Sequence, residues 1–148
     1  MRIFEHRSEI WLPRPRAGVF AFFADAGNLE RLTPPWLGFE ILTPRPIAMR
    51  PGARIDYRLK IHGLPIRWKT EITAWDPPRQ FVDEQLSGPY RLWHHTHTFI
   101  EEGDGTRVVD RVRYAMFGGR FVHKLFVERD VRTIFAFRER VLRDIFGP

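Results

Sequence analysis

Between residues 53 and 61 the chain alternates. Ile55, Tyr57, Leu59 and Ile61 fall on one side, and Arg54, Asp56, Arg58 and Lys60 on the other. A period of two marks a strand with one face in a core and the other in water. The pattern returns over 66–75, where Ile66, Trp68, Thr70 and Ile72 oppose Arg67, Lys69 and Glu71. Turn residues bound these runs: His62-Gly63-Leu64-Pro65 before the second and Asp76-Pro77-Pro78 after it. Further strands are predicted at 3–12, 80–86, 91–101 and 106–115. The last three are separated by Ser87-Gly88-Pro89 and by Glu102-Gly103-Asp104-Gly105.

Two short helices are predicted after the first strand. Val19, Phe20 and Phe23 have helical spacing within 16–24, and Asp25 is placed to cap a second helix ending at Leu32, before Pro34 and Pro35. The stretch 36–51 has no period. After Gly118-Gly119 the period lengthens to that of a helix, with Val127, Val131, Ile134, Val141 and Ile145 in one stripe flanked by Phe135 and Leu142. Arg129, Arg132, Glu139, Arg140 and Arg143 form its outer face. About 24 residues give a helix of ~36 Å, enough to cross a sheet. His123 reads as a helix-start residue and His62 as a turn residue. Strands grouped between two short helices and one long helix predict an α+β chain, a single domain over 1–148. A curved antiparallel sheet would wrap the last helix and enclose a small-molecule cavity.

Composition sharpens this picture. Aromatic residues make up 14% of the chain, enough to line a cavity as well as fill a core. There is no cysteine, so neither disulfides nor thiolate chemistry enter. Charged residues interrupt the N-terminal stretch and no run approaches a membrane span, which predicts a cytoplasmic protein without stable membrane insertion. The net charge is +6, but the arginines are spread along the chain and never form a basic arm, so nucleic-acid binding is not expected. No phosphate loop or nucleophile elbow is present. Oligomeric state has no signal.

Candidate chemistry sits in Trp93-His94-His95-Thr96-His97-Thr98-Phe99. On a strand, Trp93, His95, His97 and Phe99 share a face, and the two large apolar side chains place it inward. If 102–105 is a four-residue hairpin loop, His97 faces Asp110, His95 faces Val112 and Trp93 faces Tyr114. A slip of one residue would turn every side chain over. For 80–86 the pattern leaves two faces open: Phe81, Asp83 and Gln85 inward, or Val82, Glu84 and Leu86 inward. A His97–Asp110 pair permits three roles: a satisfied polar pair in the wall, a seat for a ligand's polar head, or a general acid–base pair. His-x-His with Asp83 invites a metal, but no third histidine has ligand spacing, and no metal or other cofactor is expected. Trp68 is inward by alternation, Trp75 is expected at a rim, and Trp36 is read as a staple onto the small helices, a cavity lip or a membrane-contacting tip.

Particular stretches carry a family resemblance. They are Asn28-Leu29 before Leu32-Thr33-Pro34-Pro35-Trp36, Trp68 within 66–72, the run 78–85, Gly88-Pro89-Tyr90 with Trp93, His95, His97 and Phe99, and Gly105-Thr106 with Asp110 and Tyr114. With the order of elements, they resemble the START-like or SRPBCC superfamily of polyketide cyclase/dehydrase and lipid-transport proteins, in particular a bacterial branch of uncharacterised ligand-binding members. The resemblance implies a helix-grip fold, with a seven-stranded sheet around the C-terminal helix and the ligand between them. It also favours Phe81, Asp83 and Gln85 as the inward face. The expected lining is then Tyr57, Trp68, Thr70, Phe81, Asp83, Gln85, Trp93, His95, His97, Asp110, Tyr114, Ile134 and Phe135. The expected function is binding of a small, largely apolar lipid, polyketide or isoprenoid-like molecule. Alternatives are a cyclase- or dehydratase-like enzyme using His95, His97, Asp83 or Asp110, and an interaction module using the basic outer face.

Overall fold

The computed structural model describes residues 2–118 and 126–147. The alternating runs form the strands of one seven-stranded antiparallel sheet: β1 (Phe4–Leu12), β2 (Glu40–Ile41), β3 (Arg54–Ile61), β4 (Leu64–Asp76), β5 (Gln80–Ser87), β6 (Leu92–Glu102) and β7 (Gly105–Ala115), in the order β1-β7-β6-β5-β4-β3-β2. Helices α1 (Arg16–Ala24) and α2 (Leu29–Leu32) follow β1, and α3 (Glu128–Phe146) ends the chain. This is the helix-grip arrangement, α+β as the periodicities predict.

The hairpin β6–β7 has the predicted register, with His97 opposite Asp110, Trp93 opposite Tyr114 and Glu102 opposite Gly105. Gly105 is required there: a side-chain carbon would collide with the Leu12 carbonyl oxygen and with the Trp11 ring. Asp25 does act as a cap, accepting from the Gly27 N–H at 2.9 Å, although the turn it opens is a 3-10 one (Ala26–Asn28) that precedes α2.

Four expectations change. The aperiodic stretch 36–51 contains β2, whose two residues pair with Arg58 and Tyr57 and are too short to show a period. Helix α3 has 19 residues, or ~28 Å, and starts at Glu128. Residues 119–125, with His123, lie outside the described part. Trp75 is no rim residue: its ring packs 5.2 Å from Phe20 and 5.5 Å from Phe81, because β4 runs one residue past it before the turn. Of the roles left open for Trp36, the staple onto the small helices does not hold, whereas its place on the border of the space between sheet and α3 fits the lip. Trp36 is 57% exposed and its ring meets Phe137 of α3 edge-on at 5.8 Å, while its neighbour Leu37 is buried.

The core is solid at one end only. Leu12, Val19, Phe20, Phe23, Phe81, Phe99, Val108 and Leu142 pack together under α1 and the C-terminal half of α3. In the N-terminal half of α3, Val131 and Phe135 are buried against Val112 and Tyr114 of β7, but Ile134, on the side of Leu59 and Trp68, is only half-buried. Among the described residues no helix is long and apolar enough to cross a membrane. The two ends respond differently to truncation. Leu142→Ala should cost about 2–5 kcal/mol by leaving a cavity in packed surroundings. Ile134→Ala, facing space already open, should cost less than half as much. Urea unfolding of both variants measures the difference.

Candidate functional site

Between the concave face of the sheet and the first half of α3 lies a cavity of about 950 Å³. Tyr57, Trp68, Trp93, Phe39, Tyr90 and Ile134 are among the residues of its apolar wall, and the rings lock together: Trp68 stacks on Tyr57 at 5.8 Å and meets Trp93 edge-on at 5.4 Å. Burial pushes the Tyr57 and Tyr90 hydroxyls up, so both stay neutral. At the mouth, His62 Nε2 lies 2.9 Å from Asp130 Oδ2, linking the β3–β4 turn to the first turn of α3.

Where the cavity meets the solid core, five polar side chains converge: Asp83, His95, His97, Asp110 and Arg138. Alternation points the first four at α3, and Arg138 comes down from the helix. The pairing differs from the register expectation. His97 lies opposite Asp110, yet those groups are 3.4 Å apart, whereas His97 Nε2 is 2.6 Å from Asp83 Oδ2. His95 lies opposite Asp83 at 3.7 Å but reaches Asp110 Oδ1 at 2.8 Å. Each histidine therefore bonds a diagonal carboxylate. Sheet twist shortens one diagonal between neighbouring strands, and long side chains span it.

Ionised carboxylates only accept, so both Nε2 atoms are donors. The second nitrogen of His97 faces the Arg138 guanidinium at 3.4 Å, and the same Arg138 nitrogen lies 3.3 Å from Asp110 Oδ1. A guanidinium only donates, so His97 Nδ1 accepts and the ring is the neutral Nε2–H form. Its faces are covered by Phe81 at 4.1 Å and His95 at 3.7 Å. Burial, and then the neighbouring His95, push His97 down to about 4. Asp110 resists burial and is held well below the usual carboxylate range by Arg138 and by its bond from His95. Burial pushes Asp83 up, but His95, the bond from His97 and the Arg138 charge together hold it low.

Of the expected lining, Tyr57, Trp68, Thr70, Phe81, Asp83, Trp93, His95, His97, Ile134 and Phe135 border the cavity. Gln85, Asp110 and Tyr114 do not. Gln85 clamps the β5–β6 loop, donating to the Tyr90 carbonyl at 2.7 Å and accepting from its N–H at 3.0 Å. That loop is long, which settles the face of β5: Phe81 and Asp83 point inward. Asp110 is covered by His95 and Arg138. Tyr114 is buried behind Trp93 and Tyr90. Arg138 received no role from the sequence pattern. Its signal was present: it lies three residues after Phe135 and four before Leu142, on the buried stripe.

Asp83, His95 and His97 offer ligand atoms within 4.8 Å of one another. They do not fit a metal. The imidazole planes are tilted by only 24° at 3.7 Å separation, so their in-plane lone pairs do not converge on one ion.

Residues 12–141 match the model of the family described as polyketide cyclase / dehydrase and lipid transport. The chain belongs to that family. No curated protein matches it. Among solved structures it is similar to TTHA0849 from Thermus thermophilus, with TM-score 0.70 and 22% identity over 97% of this chain and 94% of that one. It is also similar to CV1439 from Chromobacterium violaceum, with TM-score 0.75 and 14% identity over 98% and 99%. The major latex-like protein 151 of Panax ginseng matches with TM-score 0.71 and 12% identity over 99% of both chains. Identities this low show a shared fold alone.

The cluster ties stability to pH. Folded His97 titrates below its ordinary 6.5, so the unfolded chain takes up that proton first. The stability it contributes is complete above pH ~6.5 and is lost as pH falls toward 4. Asp83 and Asp110, held low in the fold, extend the loss below pH ~4. Urea midpoints should fall steadily from pH 7 to 4.5, and His97 should keep its Nε2–H tautomer by nitrogen-15 NMR down to about pH 4. Arg138→Met should cost about 3–5 kcal/mol by leaving Asp110 buried without its cation.

Proposed function

We propose that this chain is one ligand-binding domain that holds a small, largely apolar molecule, of lipid, polyketide or isoprenoid-like character, between its sheet and α3. The observation that carries this reading is the cavity itself. Its size lies within the range of small-molecule sites, and its wall is mainly aromatic and aliphatic, with one polar cluster at the inner end and further polar residues such as Lys60, His62, Arg129 and Asp130 toward the mouth. The family description, which includes lipid transport, supports it.

An acid–base enzyme is the second reading, favoured by one observation. Asp110 fixes the His95 ring through Nε2, and its other ring nitrogen lies 3.7 Å from Asp83 at the cavity wall. His95→Asn would then abolish turnover while leaving binding of an apolar probe intact. The basic outer face gains no support as an interaction module. Many of its arginines are engaged in ion pairs, as in Arg7–Glu9, Arg54–Glu71, Arg58–Glu40, Arg79–Asp76, Arg111–Glu5 and Arg143–Glu139.

The fluorescent probe N-phenyl-1-naphthylamine should bind saturably at one site and be displaced by lipophilic compounds. Trp68→Ala should weaken it by ~10-fold through lost ring contact, with the protein still folded by circular dichroism. Absence of saturable binding to the folded wild-type protein would end the binding reading.

A further inference from the structure

The inner cluster has an unbalanced charge pattern. Its permanent charges are the Asp83 and Asp110 carboxylates and the Arg138 guanidinium. Arg138 is committed to Asp110, at 3.3 Å, and to the neutral His97, at 3.4 Å. The side-chain contacts of Asp83 are imidazole nitrogens, His97 at 2.6 Å and His95 at 3.7 Å, and among the described residues no lysine or arginine forms an ion pair with it. Asp83 is also the member that opens on the cavity: its side chain is 17% exposed, against 4% for Asp110 and His97, 6% for His95 and 9% for Arg138. His97 bonds its Oδ2, and among the described residues Oδ1 has no hydrogen-bond partner. Asp83 thus presents to the cavity an ionised carboxylate with one oxygen unbonded, a seat for a guest that brings a donor and a positive charge.

We propose that the cavity ligand is an amphiphilic amine, its apolar body among the aromatic side chains and its protonated amino head paired with Asp83. This rests on the binding reading above and names the ligand's polar end. The rings of Trp68, Tyr57 and Trp93 line the approach to Asp83 and suit a cation passing over their faces as well as an apolar body. The negative potential of Asp83 also reaches Tyr57, where it adds to burial in pushing the hydroxyl up. The net charge of +6 would by itself favour anionic ligands, so the inference runs against the bulk charge and is specific to this site.

Four probes on one frame test it by calorimetry at pH 7.5: 2-naphthylmethylamine, 2-naphthalenemethanol, 2-methylnaphthalene and 2-naphthoate. The amine should bind ~10- to 100-fold more tightly than the hydrocarbon, as a charge-assisted hydrogen bond allows, with the alcohol between them and the carboxylate weakest. Asp83→Asn should remove the amine's advantage and leave the hydrocarbon's affinity unchanged. In the wild-type protein the amine, but not the hydrocarbon, should shift the His97 Nε2 nitrogen-15 resonance. That measurement and the probe order decide the matter if Asp83→Asn does not fold. Equal binding of amine and hydrocarbon, tightest binding of the carboxylate, or an amine preference that survives in folded Asp83→Asn overturns the inference and leaves the cavity reading standing. Failure of all four probes to bind overturns both.

Discussion

The contact between Arg138 and Asp110 is the one on which the rest of the site depends. It joins α3 to β7 at a separation of 28 residues, with both side chains at most 9% exposed. Removing either partner would leave a charge in the interior, where it cannot be rehydrated without opening the protein. The pair therefore fixes the helix over the sheet where packing changes character. Toward the C-terminus Leu142 closes on α1 and the sheet. Toward the N-terminus the helix stands off and the cavity opens. The guanidinium also lies over Phe23 at 5.1 Å and Phe135 at 5.8 Å, rings from the two sides of that boundary.

From that pair the polarity of the cluster is passed along. Arg138 holds Asp110 ionised, Asp110 orients His95, and His95 with Phe81 sandwiches His97, which is kept neutral and donates to Asp83. Each step is a hydrogen bond or ring contact in a dry wall, where such contacts are stronger than in water and a missing one costs more. The chain of contacts ends at the group that faces the cavity. Whatever enters meets a carboxylate whose geometry was fixed beforehand by residues the ligand does not touch, and aromatic walls that are already packed against one another.

Much of the fold was legible because period two and period 3.6 are written directly into the chain. Hairpin length gave the β6–β7 register, since a one-residue slip would have placed Phe99 in water and Thr98 in the core. The stretch around β2 stayed illegible: two residues carry no period. Trp75 was misplaced because a turn signal beside a residue says nothing about how far its ring reaches back into the core.

For the site, the sequence by itself determined which side chains of β6 and β7 face inward. Alternation put His95, His97 and Asp110 on the concave face, whereas the face of β5 stayed open by pattern and the family resemblance favoured Asp83 inward; Arg138, a lone arginine among many, carried no mark of burial. Only the tertiary structure decided who bonds whom. Register names the residue directly opposite, but twist moves the short contact to the diagonal, so His97 pairs with Asp83 and His95 with Asp110. The tertiary structure likewise decided which carboxylate received the helix's cation. That choice depends on how α3 lies across the sheet, a rigid-body relation that no local pattern of residues encodes.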